Sequence, residues 1–424
     1  MSLWSMTKVG ESPMGKPEAL AANPEPCAAA MDYDVAQAIL TLHALPLGEE
    51  EIALAAAAGR VLAEPVIAQI DSPRRDCAAM DGYAVRSVDL DGAPLRIVGT
   101  CYAGACDAGS VAAGEAMRVM TGAPMPRGAD RVIVAERSLL QGDHVVLHAS
   151  PGERAHVRLR GSDFQAGATL LPRSALLDPF ALVTVAAADV AVVRVWRKPR
   201  VLILATGDEI VEPGTAIGNA QAIPDSLSIA LCAFAREWGG GDISTRRVAD
   251  DPPAIRAAAR EALAEADLLV IAGGASRGDR DHCRAALTAM GLEIAFADLA
   301  IKPGKPVWFG RLGGLAVLGL PGNPTAALTV ARLFLAPLLA GLSGRPLASA
   351  LDWRTATLVD AVPANGSREA FLCAAEEGDR VRMLDRQSAS GQALLAHTRF
   401  LIRRPANAPA LPAGAPVPAL ALGH

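Results

Sequence analysis

The chain has 424 residues, 51% hydrophobic and 20% charged, a globular balance that excludes a disordered polymer and predicts two to four domains. Aromatic residues at 4% and a net charge of −5 with interspersed signs exclude a stacking or basic platform for nucleic acid. The seven cysteines (27, 77, 101, 106, 232, 283, 373) are odd in number and form no Cys-x-x-Cys pair, which excludes a secreted disulfide framework and predicts reduced thiols in a cytoplasmic protein.

Residues 1–30 carry no apolar h-region and read as a flexible extension. Residues 31–67 read as helical, with Val35, Ala38, Ile39 and Leu42 at helix spacing and an Ala-rich second stretch that stops near Gly59 and Pro65. Short apolar runs separated by Gly, Pro and Asp predict a compact β-rich domain over 68–167. Residues 168–196 turn Ala-rich again and are expected to pack back on the first helices as a discontinuous linker domain, 31–67 with 168–196. The most apolar stretch, 179–196, is interrupted by Asp189 and Arg194, so no membrane span is expected there. From Arg197 the chain alternates buried-strand runs with capped helices, which predicts a three-layer α/β domain over 197–343. Residues 344–424 read as a small β domain with a loose tail.

In such sheets ligands sit beyond the carboxyl ends of the strands, where "ATGDE", "AGGASRGDRD" and "GLPGNP" fall. Glycines such as Gly273 and Gly274 let backbone N–H groups approach a phosphate. Ser276 can donate to it and Arg277 can pair it bidentately. Asp281 repels a phosphate unless Mg2+ bridges the two; the bland alternative is a helix N-cap. Lys302 and Lys305 in "AIKPGKP" are point charges for an oxyanion, or else two solvated loop lysines. Asp208 and Glu209 end a buried strand and invite metal or general-base chemistry, whereas Asp250 or Asp251 can simply cap the next helix, as Asp225 or Ser226 can an earlier one. Asp81-Gly82 reads as a turn, and "MTGAPMPRGAD" as a rigid loop without chemistry of its own. No nucleotide fingerprint or Cys/His cluster occurs, so a P-loop and a zinc or haem site are not indicated.

Taken in order, "AMDGYAV", "MTGAPMPRGAD", "RGSDFQAG", "ATGDEIVEPG", "DDP", "AGGASRGDRD", "AIKPGKP" and "GLPGNP" resemble the MoeA family of molybdopterin molybdenumtransferases, including the gephyrin E-domain, over about 31–420. The resemblance implies a MogA-like α/β molybdopterin-binding domain beside β-rich, helical linker and small β domains. It implies that molybdate is inserted into adenylylated molybdopterin with Mg2+ present and AMP released. It also implies a homodimer whose site lies between the α/β domain of one subunit and the β-rich domain of the other. Matched motif by motif, the catalytic acids are Asp81, Asp163, Glu209, Asp250 and Asp281, with Lys302 beside them, and Asp281 and Glu209 as metal ligands. Substrate-binding positions are Thr121, Gly122, Thr206, Gly207, Asp208, Ser226, Gly273, Gly274, Ser276, Arg277, Lys305, Pro321, Gly322, Asn323 and Pro324. A molybdopterin adenylyltransferase and a recipient molybdoenzyme are implied as partners.

The chain departs from the family's pattern in places. Asp298 stands where a basic residue is usual four positions before Lys302, Leu227 ends the Asp225-Ser226 signature, and Cys77 and Ala78 replace a polar pair. Arg277 replaces a small apolar residue and is expected to return the positive charge that Asp298 removes. These departures keep open a non-catalytic carrier or scaffold; an adenylyltransferase is the third reading, for which the N-terminal half is superfluous.

Overall fold

The computed structural model describes residues 30–147, 155–273 and 282–423. The alternation read from 197 onward forms a six-stranded sheet in the order Ile243–Val248, Val201–Thr206, Leu268–Ala272, Leu315–Leu320, Trp308–Leu312, Glu293–Ala297. Its first four strands are parallel, and Trp308–Leu312 runs antiparallel to both neighbours. The continuous apolar runs are explained by burial on both faces. Val201, Ile203, Val270 and Leu318 face one core, while Leu202, Leu204, Leu269, Ile271 and Val317 face the other.

Capping residues set where the helices start. Asp225 accepts from Ser228 N at 3.0 Å and opens Ser226–Glu237, and Asp251 accepts from Ala254 N at 3.1 Å and opens Pro252–Glu265 with proline in its first turn. Of the two expected cap candidates in "DDPP", Asp251 takes the role, which leaves Asp250 free for another. The helical stretch Pro324–Leu342 has 19 residues and a mean hydropathy of 1.7, enough to cross a membrane. It is 94% buried within the protein, so it is a core helix.

Two expectations fail. Only Tyr33–His43 of residues 31–67 is an α-helix; the Ala-rich stretch instead begins as the strand Glu49–Ala53, paired antiparallel with Val192–Trp196. Tertiary pairing overrides helix propensity here, and Ala57, Leu62 and Val66 are buried against Leu177, Val185, Val193 and Val195. The helix Tyr33–His43 packs elsewhere, its Tyr33, Ala36 and Leu40 joining the core that holds Phe334 and Phe371. Nor is the C-terminal end a loose tail. Pro416–Ala421 pairs with Trp353–Leu358 and Phe400–Arg404. Together with Glu369–Glu377 and Arg380–Met383 these strands close on themselves as a small barrel. Buried Arg332 ties the barrel to the core helix: its Nε donates to Ala421 O at 2.6 Å, and its guanidinium lies 4.4 Å over the Trp238 ring.

A second six-stranded sheet lies near the N-terminus, in the order Arg131–Val134, Gly82–Val85, Glu115–Val119, Leu95–Cys101, His144–Leu147, Ser138–Gln141. Its two buried clusters are built from residues 78–157 alone.

Candidate functional site

The carboxyl ends of the parallel strands are level. Thr206 is in register with Val248, and Ala205 and Leu320 are both in register with Ala272. The loops leaving them therefore meet. Gly273 has φ +97°, and a Cβ there would lie 2.9 Å from Thr206 O, while one on Gly322 would lie 3.4 Å from Gly273 Cα. At Gly273 only glycine permits this approach, and Thr206, Gly273 and Gly322 come to one point. Gly207 also has positive φ, at +145°, and the Glu209 carboxylate folds back to 3.1 Å from where its Cβ would be.

Asp208 Oδ1 accepts from Asp250 N at 3.2 Å, joining the ends of two neighbouring strands. Asp250 Oδ1 is buried and has no hydrogen-bond partner. A buried carboxylate oxygen left unpaired is costly, so this atom is a ready ligand for a cation or a donor. Asp225 is spent as a cap, which leaves Ser226 exposed at the first helical position. Asn323 stands at the cap position of Pro324–Val330, yet its side chain makes no capping bond.

Lys302 and Lys305 are exposed at the same end of the domain. Ile301–Lys302 pairs with Glu369–Ala370, so the lysine turn is shared between the α/β unit and the barrel. The barrel supplies a loop too. Thr325 donates through its hydroxyl to Gly391 O, and Ala326 N to Ala389 O at 3.2 Å, which seats Ser388–Gly391 on the start of the core helix. Arg368 Nη1 donates to Ile301 O at 3.4 Å beside Lys302. Arg368 has no local motif to reveal it; strand pairing brings it in.

Asp298 follows Glu293–Ala297 with φ +55°. Its Oδ2 lies 3.4 Å from Arg284 Nη1, and its side chain is only 13% exposed. The acid is thus neutralised by an arginine of the helix His282–Thr288. The expected compensator, Arg277, lies outside the described residues, as do Gly274, Ser276 and Asp281. Leu227 faces the core and is 9% exposed, so its replacement of a polar residue is a packing choice.

A second group of candidates gathers on the N-terminal sheet. Asp81 Oδ1 accepts from Thr121 N at 2.6 Å and Thr121 Oγ at 2.7 Å. The Thr121 backbone N–H, then its hydroxyl, hold the carboxyl below the usual carboxylate range although it is exposed. Gly122 N donates to Ala78 O at 2.8 Å, closing the two motifs on each other. Asp81-Gly82 is not a turn: Gly82 opens the strand Gly82–Val85, and a Cβ there would be 2.1 Å from Ile133 O. Asp163 Oδ2 accepts from Ser72 Oγ at 3.3 Å. Nearby, Arg160 Nε donates to Asp71 Oδ2 at 2.5 Å and its backbone N to Asp76 Oδ1 at 2.8 Å. Sequence reasoning misses Arg160 although it opens "RGSDFQAG", because its partners lie more than eighty positions away.

The site residues therefore form two groups on separate cores, one at the α/β strand ends and one on the N-terminal sheet. Among the described residues no three acids, histidines or cysteines form a ready metal cluster.

Comparisons with known proteins agree with this architecture. Residues 31–188 match the family model for the MoeA N-terminal region (domain I and II), and residues 202–341 that for a probable molybdopterin binding domain. The molybdopterin molybdenumtransferase of Nostoc sp. is 34% identical over 336 residues, covering 76% of each chain. That of Haemophilus influenzae is 35% identical over 302 residues, covering 71% of this chain and 74% of its own. The crystal structure of the molybdopterin biosynthesis MoeA protein from Pyrococcus horikosii superposes with a TM-score of 0.78 at 29% identity, covering 93% of this chain and 100% of that one. With both family models matched in order and relatives above 30% identity across most of their length, the chain belongs to the MoeA family of molybdopterin molybdenumtransferases.

Proposed function

We propose that this chain inserts molybdate into adenylylated molybdopterin and releases AMP, with Mg2+ present, as a cytoplasmic homodimer. The observation that carries the reading is the point where Thr206, Gly273 and Gly322 meet, beside the unpaired buried Oδ1 of Asp250. Close-approaching glycines at strand ends suit a diphosphate, and a hard oxygen ligand beside them suits Mg2+. Asp250 and Glu209, with Asp281, would hold that ion; it would supply charge neutralisation at the phosphoanhydride.

The protein's own groups then have separable tasks. Thr206 and Gly207 position the diphosphate through a hydroxyl and a backbone N–H, Gly273 leaves room for it, and Asn323, with its side chain free of capping duty, orients the substrate. Lys302 and Lys305 hold the incoming oxyanion. Water attacks the molybdopterin phosphorus, its P–O bond to the bridging oxygen breaks, AMP leaves with that oxygen and its electron pair, and the water protons pass to the phosphates and solvent. Pairing of Asp298 with Arg284 keeps a carboxylate from opposing the anion. That pairing and the inward-facing Leu227 remove the features that favoured a non-catalytic scaffold.

Asp81 and Asp163 belong, on this reading, to the partner subunit's site. The support is that both are exposed and preoriented, on cores that share no residue with the α/β unit. Exposed Val35, Leu42 and Leu45 at the first helix, and Phe180 and Val183 on Pro179–Ala187, are apolar surface for such a dimer. The free thiols of Cys77, Cys101, Cys106, Cys232 and Cys373 suit a reducing cytosol.

The test is AMP release from adenylylated molybdopterin with Mg2+, with and without molybdate, by the parent and by Asp250→Asn and Asp81→Asn. Release that needs molybdate and falls in both variants supports the reading. Mixed dimers of the two variants should regain activity, since one of their two sites is intact. AMP release indifferent to molybdate, or no rescue in mixed dimers, would overturn the insertase or the shared-site reading respectively.

A further inference from the structure

A cleft of about 230 Å³ lies far from the strand ends, where the linker strands meet the opposite side of the α/β unit. Its walls come from Gly59–Val61, Leu176, Trp196 and Lys198, from the end of Ser226–Glu237, and from Ser343 and Arg345 beyond Ala336–Leu342. Four cations line it: Arg60, Lys198, Arg236 and Arg345.

These groups are short of acceptors. Arg60 Nη2 reaches Glu50 and Trp196 O, the latter at 2.8 Å, but Arg60 Nε is buried with no partner. Trp196 Nε1 is a second buried donor with no partner. The side chains of Lys198, Arg236 and Arg345 form no hydrogen bond or ion pair with the described residues, nor are they among the groups engaged elsewhere. The lining holds one acid, Glu237, which is already engaged and whose Oε1 lies 2.9 Å from where a Gly423 Cβ would be. Burial lowers the basicity of both Lys198 and Arg345, and Arg60 adds repulsion at Lys198.

Two helices end at this cleft, and their negative ends favour nearby cations. That accounts for the presence of a basic residue at each end. It leaves the unpaired N–H groups of Trp196 and Arg60 unexplained, because neither is aimed at a helix-end carbonyl within bonding distance. Ser343 Oγ already serves Leu339 O at 2.6 Å. The indole is also held firmly: Gly344 has φ +83°, and a Cβ there would lie 1.9 Å from the Trp196 ring.

We infer that this cleft is a binding site for a multiply charged oxyanion of the phosphate or diphosphate class, separate from the proposed active site. Buried donors without acceptors and unpaired cations are what such an anion satisfies. The volume admits an inorganic phosphate, a diphosphate or the phosphate end of a small metabolite. A bound anion would bridge the linker through Arg60 and Trp196 to the α/β unit through Arg236 and Arg345. Molybdate shares the chemistry, so the site has two conceivable sources of ligand: phosphates of the cell and the oxyanion substrate.

The experiment is calorimetric titration of the full-length protein at low ionic strength with inorganic pyrophosphate, phosphate, sulfate and molybdate. In addition to any binding at the strand ends, one further saturable site per chain is expected, weakened at least tenfold by Lys198→Gln with Arg345→Gln. Trp196→Phe, which deletes only the indole N–H donor and keeps an aromatic ring, should weaken it severalfold with the circular dichroism spectrum unchanged. Lys302→Ala should leave pyrophosphate affinity intact. Tighter binding of pyrophosphate or phosphate than of molybdate makes the ligand a cellular phosphate; the reverse order makes it a second station for the substrate oxyanion. Absence of saturable binding by all four anions overturns the inference. So does binding that survives both the double variant and Trp196→Phe, or that vanishes with Lys302→Ala.

Discussion

Gly304 sets the shape of the lysine turn, and replacing it should damage both stability and substrate binding. The residue has φ +106°, and an added Cβ would lie 2.4 Å from Val330 Cγ2 and 3.3 Å from Ile301 Cδ1. Val330 and Ile301 are both fully buried, so neither can swing into solvent. Two costs add in Gly304→Ala. The unfavourable backbone conformation costs about 1–2 kcal/mol, and forcing a methyl into a filled core costs about 1–3 kcal/mol, for a total of about 2–5 kcal/mol. Relief should come from the neighbour: Val330→Ala opens the space the new methyl needs. The two changes should therefore be less damaging together than their sum, by about 1–2 kcal/mol. Urea unfolding followed by tryptophan fluorescence measures all four corners of this cycle. Because Lys302 and Lys305 flank the glycine, the half-saturating molybdate concentration should also rise in Gly304→Ala. A loss below about 0.5 kcal/mol, or strict additivity with Val330→Ala, would refute the steric account.

Three further outcomes are expected. Thr121→Val removes the hydroxyl donor to Asp81 but keeps the backbone N–H. Because the Asp81 carboxyl is held low, activity that needs it ionised persists above that low value and fails only as the pH falls through it. The acid limb of the pH–rate profile should then move up toward the ordinary carboxylate range in Thr121→Val. Arg284→Ala takes a counter-charge away from Asp298, and molybdate affinity should fall about threefold to tenfold and recover in Arg284→Ala with Asp298→Asn. Asp267, with its side chain 10% exposed, accepts from Arg197 Nη1 at 2.8 Å, Arg197 Nη2 at 3.0 Å and Arg200 N at 2.8 Å. Burial alone would raise its pKa, but these bonds outweigh it and hold the carboxyl well below the usual range. Its contribution is therefore complete above the ordinary carboxylate pKa and is lost as the pH falls toward the depressed value. Asp267→Asn should cost about 2–3 kcal/mol at pH 7 in a denaturation titration, and the deficit should shrink on acidification.

The α/β sheet is legible because strands buried on both faces leave continuous apolar runs, as in "RVLILAT" and "LLVIA", and because Asp225 and Asp251 stand where helices must be capped. The stretch from Glu49 misleads for a physical reason. Its alanines favour a helix locally, but Val192–Trp196 offers a partner strand that no local window contains. Pro416–Ala421 misleads likewise: two prolines and a short run look like a tail until Trp353–Leu358 and Phe400–Arg404 pair with it on either side. In the candidate site, residues such as Asp81, Thr206 and Gly273 can be named from their motifs. Those that enter by long-range pairing, such as Arg160 and Arg368, cannot.

Asp298 carries this distinction into function. Judged within its own motif it is an acid in a place that suits a base, and the compensator expected from the motifs is Arg277, in the glycine-rich loop. The pairing found is with Arg284, on the helix after that loop and fourteen residues from the acid. Charge balance at an anion site is a property of the filled volume, so a sign change at one position needs only a counter-charge that the fold brings within about 4 Å. A reading that scores motif positions singly therefore counts Asp298 against an active enzyme. Scored as the pair Asp298–Arg284, the same position is neutral, so it adds no net negative charge to oppose an anion. A basic residue at 298 would then face Arg284 without an acid between them. Asp298→Lys should thus impair anion binding, through disorder of the 298–305 turn that outweighs the added charge, unless Arg284 is changed with it.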